Sequence, residues 1–365
     1  MTVSAEPQGT VALGVENTSK IGAFLWVGFY TTIFTVLTLT LFRFWARTIV
    51  RRHLWGDTTI GGEPLEYTGK GSELLIGFLI AIVTVMLPLV CAILAAQFLL
   101  KPVWAIVVVL AVYLVVFILV GSAIFLARRY QLSRTMWRGV RFEQRGSAVG
   151  YGLMTFGYTL LTIITFGWFG PAMRLRMERR LWNNAFFGDL AFGYDNSPAA
   201  RTEPVYLSYI LSFVGIIVYY ALIVGGMFQL GLMASLARGG VPDMKDIAAL
   251  YALVFGGVFV LIFFVAWHEA VMIRQITRSI SLGGVSLKSR FSAWDLIQLA
   301  FTNVLLVVFT LGFGALAAQM RVWRKVCRRL EVEGALDLAH IHQAASRGPR
   351  SGEGMVDAFD LSGGV

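Results

Sequence analysis

Long apolar runs are the feature that most constrains this chain. Four runs of more than twenty residues with almost no charge lie at residues 74–100, 103–127, 206–236 and 247–267. A bilayer core is about 30 Å thick, and a helix crosses it with about 20 residues. The chain is also only 14% charged, whereas soluble domains carry about 25%. The sequence therefore predicts a membrane protein with several spans.

The chain also repeats itself. Residues 29–67 align without gaps on residues 156–194, and residues 129–180 align on residues 274–325. Apolar helices resemble one another by chance, but arginine and tryptophan in fixed register do not follow from that, so we interpret the pattern as internal duplication. The matched basic and aromatic pairs include Arg47/Arg174, Arg52/Arg179, Trp55/Trp182, Arg176/Arg321 and Arg179/Arg324.

The repeated unit predicts the fold class. It consists of an apolar run, a break near a threonine, a basic amphipathic helix and a short strand-like stretch, as in "TFGWFGPAMRLRMERRLW" at residues 165–182. Five such stretches with glycine punctuation either pair into a small sheet or remain plain loops. We expect an all-α polytopic membrane protein with about seven apolar helical segments, some re-entrant or kinked, internal repeats and short β-like cytoplasmic connectors. A polar tail (1–20), one membrane domain (21–342) and a disordered polar tail (343–365) complete this organisation.

Charge placement bears on orientation. The net charge is +10, and the basic residues cluster where apolar runs end, which favours a membrane surface over nucleic acid. The segments 150–171 and 294–318 each begin after one basic block and end at the next. Either they cross fully in a seven-span bundle, or they dip and return. Dipping leaves 28 of the 31 Lys and Arg on the cytoplasmic face, with Lys101, Arg238 and Lys245 outside.

Two sets of residues are candidates for function. The first set would contact anionic lipid or a membrane-protein partner from interfacial helices: Arg47, Arg52, Trp55, Arg174, Arg176, Arg179, Trp182, Arg321 and Arg324. The second set is polar within apolar runs, where ionisable and amide groups either form a functional path or bond between helices: Gln97, Gln229, His268, Glu269, Gln298 and Asn303.

Catalytic motifs do not stand out. "WHEAV" at residues 267–271 has no second histidine four positions on, and "GKGSE" at 69–73 departs from a phosphate-binding loop. We expect no catalytic residues, no cofactor and no metal site. The favoured function is a non-enzymatic membrane protein that organises lipid or a partner protein at the cytoplasmic face. A small-solute transporter or channel with a site between duplicated halves is the alternative, and an enzyme using His268 and Glu269 is the third hypothesis.

These motifs resemble those of the YjgN-like family of bacterial inner-membrane proteins, whose function is unassigned. The resemblance lies in "TGKGSEL" at 68–74, in the pattern LTLxxFRFWARxxxRR at 37–52 and in "TFGWFGPAMRLR" at 165–176. It covers residues 21–342. The first copy departs from the pattern at Thr40 and Arg43, and the third copy lacks the proline. The resemblance implies a multipass fold in the bacterial cytoplasmic membrane, and it carries over no catalytic residues.

Overall fold

The structure, a computed structural model, describes residues 10–195, 197, 200–239, 243–337 and 341. The tail predicted at 343–365 lies outside the described residues. The helices are α1 (Ile21–Leu37), α2 (Arg43–Gly56), α3 (Gly71–Ala81), α4 (Leu87–Leu99), α5 (Pro102–Ser133), α6 (Ala148–Ile164), α7 (Gly170–Trp182), α8 (Val205–Gln229), α9 (Leu232–Ala237), α10 (Met244–Arg278), α11 (Ala293–Phe309) and α12 (Ala315–Arg329). The strands are β1 (Thr10–Ala12), β2 (Val15–Asn17), β3 (Thr58–Ile60), β4 (Glu63–Tyr67), β5 (Thr135–Trp137), β6 (Val140–Gln144), β7 (Ala185–Phe187), β8 (Leu190–Tyr194), β9 (Ile280–Leu282), β10 (Val285–Ser289), β11 (Leu330–Glu333) and β12 (Ala335–Asp337).

Four helices within the described residues are long and apolar enough to cross a membrane: Gly71–Leu99, which joins α3 to α4, and α5, α8 and α10. They contain 29, 32, 25 and 35 residues. The first includes a π-helical turn, Ile82–Met86, shortly before Pro88. Proline lacks an N–H and its ring clashes with the carbonyl four residues earlier, so this wider turn lets the helix continue through it.

Three shorter apolar helices turn back toward their starting point. α1, α6 and α11 have 17 residues each, which is about 26 Å of helix and less than the bilayer core. A basic helix, α2, α7 or α12, follows each one and packs against it. We call these pairs the helical hairpins.

The same threonine turn closes all three helical hairpins. The hydroxyls of Thr38, Thr165 and Thr310 donate to the carbonyl four residues earlier. They also accept the backbone N–H four residues later, at 2.9, 3.1 and 2.7 Å. The chain therefore reverses while its backbone groups stay paired, as apolar surroundings demand. The two residues after each threonine have positive φ: Leu39, Thr40, Phe166, Gly167, Leu311 and Gly312.

The connectors between helices form β-hairpins that join into one sheet. Four of them have two-residue loops, and Gly61–Gly62, Arg138–Gly139 and Gly283–Gly284 take positive φ at both positions, as type I′ turns require. Ten strands pair antiparallel in chain order from β2 to β11. β1 pairs with β12, with Thr10 opposite Asp337, and β11 lies beside β2. The strands thus form an almost closed structure, which we call the β-ring.

The β-ring encloses an apolar core. Trp137 and Phe187 are buried, with ring centroids 5.5 Å apart, and Leu336 from β12 is buried in the same cluster. A cavity of about 160 Å³, lined almost entirely by apolar side chains, remains inside. The packing explains why these connectors are strands, since alternate residues of each hairpin share one buried face.

The prediction of an all-α polytopic fold with about seven apolar helical segments, some re-entrant or kinked, is wrong. The connectors supply the ten-stranded sheet, and four helices rather than seven reach spanning length among the described residues. The remaining three apolar helices have only 17 residues each and end in the threonine turn. The sequence-based prediction overestimated the length of these three helices, because their apolar runs continue through the threonine turn into the next helix.

The β-ring constrains the path of the chain. β4 pairs with β5, and β8 pairs with β9, so the two long helices between each pair must leave and return. β6 pairs with β7, so α6 and α7 together must also return to the same place. Each connection between neighbouring strands therefore has both ends on one side of the helical region.

We predict that Thr310→Val destabilises the third helical hairpin, because the N–H of Gly314 loses its acceptor in an apolar environment. An unpaired buried amide costs about 1–3 kcal/mol. Thermal unfolding in detergent should show a lower midpoint for Thr310→Val, whereas Thr310→Ser keeps the hydroxyl and serves as the control. Equal midpoints for the two variants would contradict this role of the hydroxyl.

Candidate functional site

The helices α2, α7 and α12 carry the basic residues of the helical hairpins. Each begins directly after a threonine turn and ends at a strand of the β-ring. Their apolar sides are buried, as Phe44, Leu175 and Met320 illustrate. The opposite sides present arginines, so every helical hairpin places cations between an apolar tip and the β-ring.

A groove between α1, α2 and α12 contains three of these arginines. The cavity measures about 320 Å³ and is lined on one side by Arg43, Arg47 and Arg51. Residues four apart lie on one helical face, so this row extends about 12 Å along α2. The polar part of the lining is completed by three threonines of α1 and one glutamine of α12: Thr31, Thr32, Thr35 and Gln319. We call this site the α2 groove.

Two arginines of the α2 groove, Arg43 and Arg51, lie against aromatic rings. The guanidinium of Arg43 lies 5.1 Å from the ring centroids of both Phe44 and Phe78, and its Nε is buried without a hydrogen-bond partner. Arg51 is only 8% exposed and donates to the hydroxyl of Tyr67 at 3.3 Å. Among the described lining residues none is acidic, so the groove has a strongly positive lining.

A second basic site lies on α7. Arg176, Arg179 and Arg180 line a cleft of about 460 Å³ together with Arg201. The guanidinium of Arg176 lies over the ring of Phe169 at 5.0 Å, while all three α7 arginines are exposed. We call this site the α7 cleft. Its arginines on α7 are more exposed than the arginines of the α2 groove.

Several predicted basic residues instead connect elements of the fold. Arg52 donates to the carbonyl of Gly69 at 2.9 Å. Arg321 donates to the hydroxyl of Thr302 at 2.7 Å, and Arg324 donates to the carbonyl of Ser19 at 3.1 Å. These side chains satisfy backbone or hydroxyl oxygens, so their cations are less available to a lipid than those of the α7 cleft.

The two predicted tryptophan anchors occupy different environments. Trp55 is 5% exposed, donates to Thr135 at 3.0 Å and stacks on Trp323, so it belongs to the core. Trp182 is half-buried and donates to Glu178 at 3.1 Å, with Arg128 over its ring at 4.6 Å.

The ionisable pair of α10 connects two helices. Glu269 binds Arg174 of α7 at 2.6 Å, and Nδ1 of His268 lies 3.0 Å from the hydroxyl of Ser208 on α8. Arg274, which is also on α10, pairs with Glu203 at 2.7 Å. His268 and Glu269 thus contact different partners, on α8 and α7.

The predicted amides do not converge. Gln97 lies on α4, Gln229 ends α8, and both are exposed, as is Gln298 on α11. Asn303 donates to the carbonyl of Ala318 at 3.3 Å across the third helical hairpin. None of the four lines the α2 groove, the α7 cleft or the cavity of the β-ring.

Metal-binding and thiol chemistry find little support within the described residues, where no group of three His, Cys, Asp or Glu side chains is placed to hold a metal ion. Cys327 is buried, and burial raises the pKa of its thiol to about 11. A thiol with a raised pKa is a weak nucleophile at neutral pH.

Asp295 is a buried carboxylate with several partners. It is 2% exposed, caps α11 together with Ser292, and pairs with Lys325 at 2.8 Å and Arg329 at 2.6 Å on α12. Burial alone would raise the pKa of this carboxyl, but the hydrogen bonds from Lys325, Arg329 and Ser292 hold the pKa well below its usual range. The contact fixes α11 against α12 at the β-ring end.

The chain matches a known family model over most of its length. A family model for bacterial proteins of unknown function, DUF898, matches residues 13–358. The chain belongs to this family. The match agrees with the resemblance to YjgN-like proteins that the motifs indicated. No curated protein and no solved structure matches the chain.

Sequence reasoning identified Arg47 but missed its neighbours in the groove. Arg43 and Arg51 stand four residues before and after it, and this spacing was readable in "RFWARTIVRR". The repeat does not reveal these two arginines, because Arg43 aligns with Gly170 and Arg51 aligns with Glu178 in the second copy. The α2 groove is thus specific to the first copy.

We predict that Asp295→Asn lowers the free energy of unfolding by about 3–5 kcal/mol, the range for breaking a buried ion pair. Because the folded pKa is depressed, the contribution is complete above the ordinary aspartate pKa of about 4 and is lost as the pH falls below it. Unfolding in detergent at neutral and acidic pH would measure both effects. Wild-type protein should lose stability on acidification more steeply than Asp295→Asn.

The control for this prediction is Glu333→Gln, which removes the exposed partner of Lys288. Exposed pairs contribute about 0–1 kcal/mol, so this variant should stay close to wild type. An Asp295→Asn variant as stable as Glu333→Gln would contradict the proposed importance of the buried pair.

Proposed function

We propose that this chain is a non-enzymatic multipass protein of the bacterial inner membrane that gathers anionic lipid at the cytoplasmic face. The observation that carries the proposal is the β-ring, which brings the sheet-side ends of α2, α7 and α12 together. Family membership supports a bacterial protein, and the four long apolar helices support membrane association.

The proposed arrangement has four spans and three dipping hairpins. Two pairs of long helices cross and return, while the three helical hairpins enter the bilayer from the side of the β-ring. Their tips are strongly apolar: Leu39 is 85% exposed, Phe166 84% and Leu311 88%. Such exposure is expected where lipid, rather than water, surrounds the tip.

Charge supports placing the β-ring in the cytoplasm. The far ends of the long helices carry Lys101, Arg238 and Lys245, and all other described Lys and Arg residues lie on helical hairpins, on strands and the loops beside them, or at ring-side helix ends. Cytoplasmic segments are enriched in Lys and Arg. A basic surface on this side attracts anionic lipid by about 1 kcal/mol per cation near the membrane.

The transport alternative has less support. It would require polar side chains gathered around a site near the middle of the membrane, and Gln97, Gln229 and Gln298 instead lie exposed on three different helices. We favour lipid over a partner protein as the ligand of the basic surface. The lipid experiment below would also detect a partner protein.

We predict that a Glu63→Cys and a Lys288→Cys variant behave alike toward a membrane-impermeant thiol reagent. Both side chains are exposed on the β-ring, so in a background without Cys91 and Cys327 both should be protected in intact cells and labelled in lysed cells. Lys101→Cys and Lys245→Cys should be labelled in intact cells. Seven full crossings would place residues 63 and 288 on opposite sides, and opposite labelling would therefore exclude the proposed arrangement.

We predict that replacing Arg176, Arg179 and Arg180 by Gln lowers the ratio of anionic to zwitterionic lipid around the protein by about twofold. The ratio would be measured after extraction of the full chain in polymer-bounded native membrane discs. Arg290→Gln is the matched control, since that exposed arginine directly follows β10 and pairs with Glu331. An unchanged ratio in the triple variant would exclude lipid gathering, and a lost co-purifying protein would indicate a partner instead.

A further inference from the structure

The α7 cleft adjoins a second, more apolar cavity. Arg176 and Arg201 line both spaces and so form a shared wall. The second cavity measures about 410 Å³, and its lining includes the apolar side chains of Leu175, Val205 and Leu207. A basic cleft beside a more apolar cavity matches an amphiphile, which has a charged headgroup and an apolar chain.

The arginines of α7 are available to a ligand. Arg176, Arg179 and Arg180 are exposed, and none of the described residues that line the cleft is acidic. Neither Arg179 nor Arg180 pairs with a described carboxylate. Arg176 lies against two aromatic rings, which orient its guanidinium without neutralising the charge. Arg201 already has an interaction within the protein, so the three α7 guanidinium groups are the ones that can bind a ligand.

The position of these arginines along α7 matches the level of lipid phosphates. Arg180 lies ten residues beyond Gly170, the first residue of α7, and ten residues extend about 15 Å along a helix. The hydrocarbon core is about 30 Å thick, so one leaflet accounts for about 15 Å. In the proposed arrangement, a helical hairpin whose tip reaches the middle of the bilayer therefore places Arg179 and Arg180 beside the headgroups.

The adjoining cavity favours a lipid over a free anion. Leu207 is 54% exposed and Tyr206 beside it 47% exposed, both at the start of α8. Tyrosine is frequent at the level of the headgroups, where its ring is apolar and its hydroxyl remains hydrated. The acidic residue of this cavity, Glu203, pairs with Arg274 at 2.7 Å, so its charge is balanced within the protein. An acyl chain can therefore lie along Leu175 and Leu207.

The number of cations favours a headgroup with two phosphates. A phosphate diester carries one negative charge, and a single arginine can bind both of its free oxygens. Three arginines around one diester would thus leave a surplus of positive charge and of donors, whereas two linked phosphates match them better. Basic pockets on the cytoplasmic side of membrane proteins are known to bind headgroups with several phosphates.

We infer that the α7 cleft binds one phospholipid with two phosphates, and that one of its acyl chains lies in the adjoining cavity. The inference rests on the proposed function and deepens it, because it names a single site and a headgroup class. Arg179 and Arg180 bind the phosphates from α7, and Arg176 lies where the headgroup meets the chain.

The test is a titration of the purified full chain, in neutral detergent, with tetraoctanoyl cardiolipin, dioctanoyl phosphatidylglycerol and inorganic pyrophosphate. Cardiolipin carries two phosphates and phosphatidylglycerol one. Native mass spectrometry gives the stoichiometry, and calorimetry gives the Kd. We expect one cardiolipin per chain, bound about tenfold more tightly than phosphatidylglycerol. Arg179→Gln and Arg180→Gln should each raise the Kd for cardiolipin about tenfold, the loss expected for one charged hydrogen bond.

The control variant is Arg290→Gln, which removes one exposed arginine outside the cleft and should leave the Kd for cardiolipin unchanged. Arg179→Gln and Arg180→Gln variants that melt like wild type and bind cardiolipin equally well would overturn the inference. Equal affinity of the wild type for cardiolipin and phosphatidylglycerol would overturn the assignment of two phosphates. Pyrophosphate that displaces cardiolipin at a similar concentration would overturn the assignment to a lipid.

The native membrane discs separate this inference from the proposed function. Discs that are enriched in anionic lipid without preference for cardiolipin would contradict the two-phosphate site alone. Discs without any anionic enrichment would contradict the proposed function as well.

Discussion

Backbone hydrogen bonding in the β-ring is the constraint on which the rest of the structure depends. A strand needs partners on its edges, and ten strands in chain order satisfy one another only if every connection returns to the same place. The long helices meet this demand in pairs. The short apolar helices meet it by reversing at Thr38, Thr165 and Thr310.

The reversal creates a second problem, because the returning helices bring arginines toward apolar surroundings. The structure meets it in different ways in the three copies. In the second, Arg174 pairs with Glu269; in the third, Arg321 binds Thr302 and Asp295 neutralises cations near the β-ring. In the first copy, Arg43 and Arg47 line the α2 groove, and the rings of Phe44 and Phe78 lie beside Arg43.

The sequence predicted the parts of this fold that depend on local composition. Residues 74–100 and 103–127 were recognised as spans from their length, and the break near Thr165 was recognised from its glycine and proline neighbours. Two features were harder, since both depend on distant residues. Strands of three to five residues are too short for their residue pattern to distinguish them from loops. Trp55 stands at the same place in the sequence whether its side chain contacts lipid or stacks on Trp323, so the sequence does not reveal its surroundings.

The candidate site was predicted in part for the same reason. Arg47, Arg176 and Arg179 were named from the repeat, and the structure places them in the α2 groove and the α7 cleft. Arg52, Arg321 and Arg324 have the same chemistry but donate to atoms of distant segments. Sequence alone does not reveal which arginine meets a carbonyl and which faces a cavity.

The pairing of β1 with β12 sets the order in which the protein can mature. Thr10 meets Asp337, so the earliest described strand remains without this neighbour until nearly the whole chain has left the ribosome. Contacts between such distant segments form slowly, and an unpaired strand edge is prone to join another chain. Insertion of the helices into the bilayer would meanwhile hold the hairpins near one another and shorten the search that closes the sheet.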